Sequence, residues 1–566
     1  MSLVSMSSLA GSLLFLQPTL AAEIADQIWS GGPILTINDA QPRVEAVAVK
    51  DGKILALGSS LEMQQHQGDK TLMQDLKGST LLPGFFDAHG HAFMIGLQAS
   101  AANLLSAPDG EVKDIKSLQD TLRKWSADHA QIQEKIGMMI GFGYDDAQLA
   151  EERHPTRHDL DEVSTEIPIL IIHQSSHLGV MNTKALELLG ITAESPDPAG
   201  GVIRRHADSQ VPNGVLEESA FFMHIAKHFG RIDEAQAKAL LESGANLLAS
   251  YGYTTGEEGR STVGLATLMQ KIADTSELPI DIVTYVDTAD DRDFIVTNTR
   301  TDYKNGFRVA GAKMTIDGSP QGFTAHRDRP YYNPPEGYRA DYHGYPAISS
   351  DEAFETLDWA FKNNVQVITH ANGEAAVDLL SAAVKTAKAN YPDKELRPVL
   401  IHGQFLRKDQ VATLDELEIF PSLFPMHTFY WGDWHRDRTV GPVNADNISP
   451  TGWVRERGMM FSSHHDAPVA FPNSMRVLSS TVTRRTRSGD ILGPDQRVDV
   501  MTALKAMTIW PAYQHFEEKE KGSLEPGKLA DFVVLSADPT AVKPEMLDQI
   551  EVQKTVKNGK VIYTAK

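Results

Sequence analysis

Two histidines, His89 and His91, close the run Pro83-Gly84-Phe85-Phe86-Asp87-Ala88-His89-Gly90-His91. On an extended chain residues i and i+2 share a face, so two imidazoles at this spacing can reach one metal ion. His370 closes Val367-Ile368-Thr369, and His402 closes Val399-Leu400-Ile401. Asp466 ends Phe461-Ser462-Ser463-His464-His465-Asp466. A carboxylate beside a metal can take a proton from water and return it to a leaving group. Taken singly, His370 or His402 reads equally well as a satisfied core histidine. Their recurrence at equivalent run ends, after a His-x-His, reads as one ligand set. Lys313 lies inside the apolar run Val309–Ile316. A buried ammonium is costly there and would repel divalent cations. Reaction of its amine with carbon dioxide gives a carbamate, an anionic bridging ligand; snorkelling to solvent is the alternative.

Such groups need a scaffold that brings strand ends together. Short apolar runs at Thr80–Phe86, Gly252–Thr255, Ile280–Tyr285, Phe307–Ile316, Val365–Thr369, Val399–Ile401, Ile419–Phe424 and Met459–Ser462 read as strands. Helical patterns such as Asp351–Asn363 and Glu374–Ala389 fall between them. This alternation predicts an α/β fold, a (β/α)8 TIM barrel over residues 83–512 with functional groups at the strands' C-terminal ends. The gap at about residues 92–250 predicts an inserted subdomain after strand one, with strands of its own at Gly137–Phe142 and Ile167–Ile172. Both chain ends alternate like short strands, with Asp51-Gly52 and Asn558-Gly559 as hairpin turns. Residues 23–82 and 513–566 are expected to combine in one small β-sandwich domain.

Composition narrows the partners. The net charge is −22, from 53 basic and 75 acidic residues, and there is no basic run. Nucleic acid and anionic membranes are therefore not expected as partners. Cysteine is lacking altogether, which removes disulfides, thiolate nucleophiles and cysteine-type zinc sites, while 20 histidines supply nitrogen ligands. Residues Leu9–Leu20 form an apolar stretch ending at Ala21-Ala22, similar to a secretory signal peptide, although no Lys or Arg precedes Arg43. A signal peptide over residues 1–22 and a periplasmic or secreted location are the expectation, with the cytoplasm as alternative.

His-x-His on strand one, Lys on four, His on five and six and Asp on eight together resemble the amidohydrolase superfamily. So does the C-terminal run Gly522-Ser523-Leu524-Glu525-Pro526-Gly527-Lys528-Leu529-Ala530-Asp531. The likeness covers nearly the whole chain after the leader. Lys313 followed by Asp317-Gly318-Ser319, His177 in Ser176-His177-Leu178-Gly179, and Pro198-Ala199-Gly200-Gly201 are similar to the branch containing N-substituted formamide deformylases. The resemblance implies two divalent ions, zinc by preference, sharing a hydroxide and a carbamate on Lys313. His89, His91 and Asp466 would hold one ion, and His370 and His402 the other. The implied reaction is metal-dependent cleavage of a C–N amide bond in a small N-acyl, N-formyl or cyclic amide, with Asp466 moving the proton. A mononuclear, deaminase-like site and a non-catalytic binding or regulatory protein on the same barrel are the alternatives.

His177 and Asp317 are carried over as substrate-binding residues, and Trp431 is a further candidate. Trp431 lies in Pro425–Arg438, whose aromatic residues either line an apolar pocket or pack as a loop. His464-His465 before Asp466 departs from the Ser or Thr usual in that branch. Strand two ends in Glu257-Glu258, for which the sequence assigns no role; Glu258 reads most simply as a solvated loop charge. A homo-oligomer is left open.

Overall fold

The computed structural model describes residues 22–565, apart from 132, 134–136, 199, 230–232 and 336. The apolar leader, except Ala22, lies outside the described residues. Among these residues the strands form three sheets. The central one is parallel and runs in chain order through β1 (Phe85–Phe86), β2 (Tyr253–Ser261), β3 (Asp281–Asp287), β4 (Phe307–Thr315), β5 (Gln366–Ala371), β6 (Val399–His402), β7 (Phe420–Leu423) and β8 (Ser462–Ser463). The sheet curls into a TIM-barrel-like ring. At the seam, Phe86 N–H donates to Met507 O at 3.0 Å and Ser463 N–H to Ala506 O at 2.9 Å. One level higher, Asp466 N–H donates to His89 O at 3.0 Å and His91 N–H to Ala467 O at 2.8 Å. The loops after the first and last strands are thus stitched together beside the ligand set.

Every residue of β5, β6 and β7 is buried, as expected of parallel strands covered on both faces. Helix Ser350–Asn363 shows why the outer layer forms where it does. Ser349 caps it by accepting from Glu352 N–H, and Ala353, Leu357, Ala360 and Phe361 turn one stripe to the core. Full burial of a Leu or Phe side chain contributes about 1.5–3 kcal/mol. Helices Ala92–Ser100 and Glu234–Ser250 cross at two glycines. A Cβ on Gly96 would stand 1.9 Å from Leu240 O, and one on Gly244 would stand 2.1 Å from Ala92 O. No larger residue permits that crossing.

The insertion is a six-stranded sheet in the order Gly201–Arg205, Pro212–Glu218, Leu178–Met181, Ile169–His173, Met139–Tyr144, Ala102–Asn103. Apolar clusters cover both of its faces. The chain ends share one eight-stranded sheet, in which Phe532–Leu535 pairs antiparallel with Thr80–Pro83. Asp51-Gly52 and Asn558-Gly559 make the predicted tight turns, with positive φ at all four residues (49°, 75°, 50° and 74°). The single expected strand Thr80–Phe86 is divided: Thr80–Pro83 belongs to the end sheet, and Phe85–Phe86 opens the barrel after Gly84. No described helix is long and apolar enough to cross a membrane.

Candidate metal centre

The six candidate ligands converge at the C-terminal ends of the barrel strands. His89 and His91 follow β1, and each turns one ring nitrogen toward Asp466. His91 Nε2 lies 3.2 Å and His89 Nε2 3.6 Å from Asp466 Oδ1. Ligands held tetrahedrally about one zinc at ~2.0–2.1 Å would be separated by about 3.3 Å. Asp466 Oδ1 is buried and makes no hydrogen bond, although two imidazoles flank it. That orphaned oxygen, in a set of nitrogen and oxygen donors at ligand spacing, fits a divalent cation.

The far nitrogens of the same rings have acceptors. Glu257 Oε1 is 2.6 Å from His89 Nδ1, with both side chains fully buried. Glu258 Oε1 is 3.5 Å from His91 Nδ1, and its Oε2 accepts Phe93 N–H at 2.9 Å. A carboxylate behind a ligating imidazole fixes ring orientation and tautomer and raises the ring's basicity. Burial, then the neighbouring Asp87, pushes the Glu257 carboxyl well up, while burial holds His89 well below the usual imidazole range. A cation beyond Nε2 would draw their shared proton onto Nδ1. Burial also opposes charge on His91, but the facing carboxylates of Asp466 and Glu258 hold it up, to about 9.

Glu258 is therefore not a solvated loop charge. The apolar run of strand two stops at Thr255, but its pairing continues through Glu257 and Glu258 opposite Val283 and Thr284. Both glutamates consequently sit at the catalytic end of the barrel. Their position at a strand end, equivalent to that of the histidines, was the signal available in the sequence.

On the other side of Asp466, His370 Nε2 lies 3.1 Å from the Gly318 carbonyl and 3.0 Å from Asn372 Nδ2, which itself donates to that carbonyl at 3.0 Å. His370 Nδ1 then faces His402 Nε2 at 3.1 Å, and that nitrogen lies 3.7 Å from Asp466 Oδ2. His402 Nδ1 contacts His464 Nε2 at 3.1 Å, and His464 Nδ1 contacts Ser422 Oγ at 2.9 Å. A consistent proton arrangement runs from His402 Nδ1–H to His464 and from His464 Nδ1–H to Ser422, leaving His402 Nε2 unprotonated with a lone pair to offer a metal ion. The unusual His464 thus holds the ring of a candidate ligand, His402.

His465 has a different task. Its Nδ1 accepts Ala467 N–H at 2.8 Å, and its Nε2 faces Asp87 at 3.3 Å. Two candidate ligands adopt left-handed backbone, His402 at φ 76° and Asp466 at φ 51°, a strain that persists where surrounding contacts impose it. Lys313 Nζ reaches the centre from β4, 3.2 Å from His89 Nε2. Burial lowers its pKa to about 8 against the opposing pull of Asp466 and Glu257.

A cavity of about 550 Å3 opens over these groups, and His89, His91, Lys313, His370, His402 and Asp466 form its floor. His177, from the insertion, also lines it. Its Nδ1 is 2.7 Å from Glu218 Oε2, and Glu218 Oε1 accepts the Thr324 hydroxyl at 3.0 Å. The other two expected substrate contacts lie elsewhere. Asp317 is buried behind His370, where its carboxylate accepts the backbone N–H groups of His326, Asn372 and Gly373. It shapes the loop after β5 and does not line the cavity. Trp431 sits on helix Met426–Trp434, almost fully buried, and donates Nε1–H to Asp145 at 2.6 Å. The aromatic segment is thus a helix that fastens the insertion to the barrel.

Asp145, Asp146 and His173 form a second buried cluster there. Ser175 N–H donates to His173 Nδ1 at 3.0 Å, so the ring proton sits on Nε2, 3.1 Å from Asp146. A protonated nitrogen is no metal donor, and this cluster is a docking post.

Across known proteins, a sequence profile of the amidohydrolase family matches residues 73–563. The chain belongs to the amidohydrolase family. It is similar to the N-substituted formamide deformylase of Arthrobacter pascens, with 25% identity over 544 residues, 94% of this chain and 97% of that one. It is 27% identical to YtcJ of Bacillus subtilis (strain 168) over 553 residues, 95% and 99% of the two chains. Among solved structures, an uncharacterized metal-dependent hydrolase from Pyrococcus horikoshii OT3 superposes with a TM-score of 0.72 at 22% identity, covering 92% of this amidohydrolase and 99% of that chain. The last likeness concerns the fold. Family membership and the ligand-like geometry together make the protein a metal-dependent hydrolase.

Proposed function

We propose that this amidohydrolase cleaves a C–N amide bond, using a binuclear centre held by His89, His91, His370, His402, Asp466 and a carbamate on Lys313. The observation that carries the reading is the division of donors about Asp466. His89 and His91 approach Oδ1, and His402, paired with His370, approaches Oδ2. The buried Lys313 amine, with its pKa lowered to about 8, is suited to attack carbon dioxide. The neutral amine forms a bond from Nζ to carbon as one C=O π bond of carbon dioxide opens onto oxygen, one proton leaves Nζ, and an anionic carbamate would then stand between the two histidine groups. When bound, the ions polarise the scissile carbonyl and activate water at neutral pH. Asp466 takes the proton of the attacking water and returns it to the departing nitrogen. His177, held by Glu218, borders the space in which the substrate lies.

The test is metal counting on protein loaded with zinc, combined with turnover of N-formyl amines, N-acyl amino acids, cyclic amides and esters. Two ions per chain with metal-dependent amide cleavage is the expected result. One ion per chain would support the mononuclear alternative. Bound metal without turnover of any amide would overturn the C–N reading.

A further inference from the structure

The insertion contributes more to the cavity than His177. Helix Ser219–Phe229 directs Phe221, Phe222 and Ile225 into it, and Phe93, Met94 and Leu265 face them from the barrel side. Phe222, Ile225 and Met94 are only partly covered by the insertion's own apolar core. They leave hydrocarbon surface open directly beside the metal ligands, and the Phe222 ring stands edge-on to His177 at 5.7 Å. Apolar surface of this kind, next to a few converging polar groups, is the ordinary make-up of a small-molecule pocket.

Charge in the cavity points the same way. Its one arginine, Arg260, donates to Asp287 at 2.7 Å and lies over the Phe222 ring at 5.6 Å. Asp290, also in the lining, caps the neighbouring helix by accepting Val263 N–H at 2.8 Å. Glu258 and Asp466 add two further carboxylates. Away from the metal floor, the described lining presents no cation without a carboxylate partner, since His177 is paired with Glu218, so the chamber itself offers nothing to hold a substrate's carboxylate.

We propose that the insertion builds a chamber for the uncharged hydrocarbon substituent of the substrate, so that the preferred amide carries a bulky alkyl or aryl group and no carboxylate. This rests on the amide-hydrolase reading and narrows it. The chamber lies on the insertion side of the metal ligands, so it seats the substituent while the amide group lies over the floor.

The experiment compares kcat/KM of the zinc-loaded enzyme on formyl and acetyl amides of methylamine, 2-phenylethylamine and phenylalanine. The last two amines differ only by a carboxylate. The phenylethyl amides should exceed the methyl amides by roughly tenfold or more, as filling an apolar pocket gives. They should exceed the phenylalanine amides by a similar factor. Ile225→Ala and Phe222→Ala should shrink the phenylethyl-to-methyl ratio. Equal rates across the series, or preference for the carboxylate, would overturn the proposal. If no amide is hydrolysed, the functional reading fails. Calorimetric binding of the same amides then judges the chamber alone: tighter binding of the phenylethyl compounds upholds it, and binding without preference removes it.

Discussion

Replacing Glu257 tests whether the ligand set is organised from behind. Glu257 is wholly buried, and its Oε1 stands 2.6 Å from His89 Nδ1. A hydrogen bond to a charged partner contributes about 1.5–3 kcal/mol, and a neutral amide acceptor roughly half of that. Glu257→Gln keeps the shape and should weaken metal binding by about tenfold, the equivalent of ~1.4 kcal/mol. Glu257→Ala leaves the His89 Nδ1–H without an acceptor and the ring free to turn. The loss should then approach about 100-fold, the upper range for residues that orient a metal ligand. Affinity is read by chelator competition on zinc-loaded protein, and thermal melting of the metal-free proteins separates a binding defect from a folding defect. If all three proteins bind zinc within about twofold of one another, Glu257 does not orient His89 and the argument from its position fails.

Lys313→Ala should stay folded yet lose much of its metal and turnover, because the two histidine groups then lack their anionic bridge. Acetate or propionate should restore part of both, and full metal occupancy without them would exclude the carbamate. Metal-free protein should lose stability as pH falls below the unfolded imidazole value of ~6.5. Burial holds His154, His435, His465 and His515 at about 3, so the unfolded chain takes up protons that the fold refuses. The sign is a loss of stability with acidification, roughly 1 kcal/mol per pH unit for each such group between ~6.5 and 3. Chemical denaturation at pH 7 and pH 5 measures it, and equal midpoints would contradict the burial argument. Truncation after Ala512 removes Phe532–Leu535, whose partner strand Thr80–Pro83 leads directly into β1. The shortened chain should be insoluble or should not melt cooperatively; a soluble product with a sharp melt would show that the barrel does not need the end sheet.

Much of the scaffold is legible in the sequence because a parallel strand buried on both faces must be a short apolar run, and the polar residue closing it stands at the barrel's functional end. That rule locates His370, His402 and the His89–His91 pair, and it makes Lys313 conspicuous as a charge inside such a run. The Asp51-Gly52 and Asn558-Gly559 turns are equally local, since few other residue pairs accept positive φ twice in succession. What the sequence could not decide depends on distant segments meeting. Glu257 and Glu258 look like loop charges until pairing with β3 carries them to the strand end behind His89 and His91. His464 and His465 are adjacent in the chain yet serve different partners, Ser422 and His402 for one and Asp87 for the other. Trp431 has the composition of a pocket residue, but packing of its helix turns it toward Asp145. Residue type and spacing therefore determined which groups can bind metal, whereas orientation, tautomer and the apolar wall over the site arise only from long-range packing, because each is set by atoms from other strands and loops, 62 residues away for His402 and His464 and 168 for His89 and Glu257.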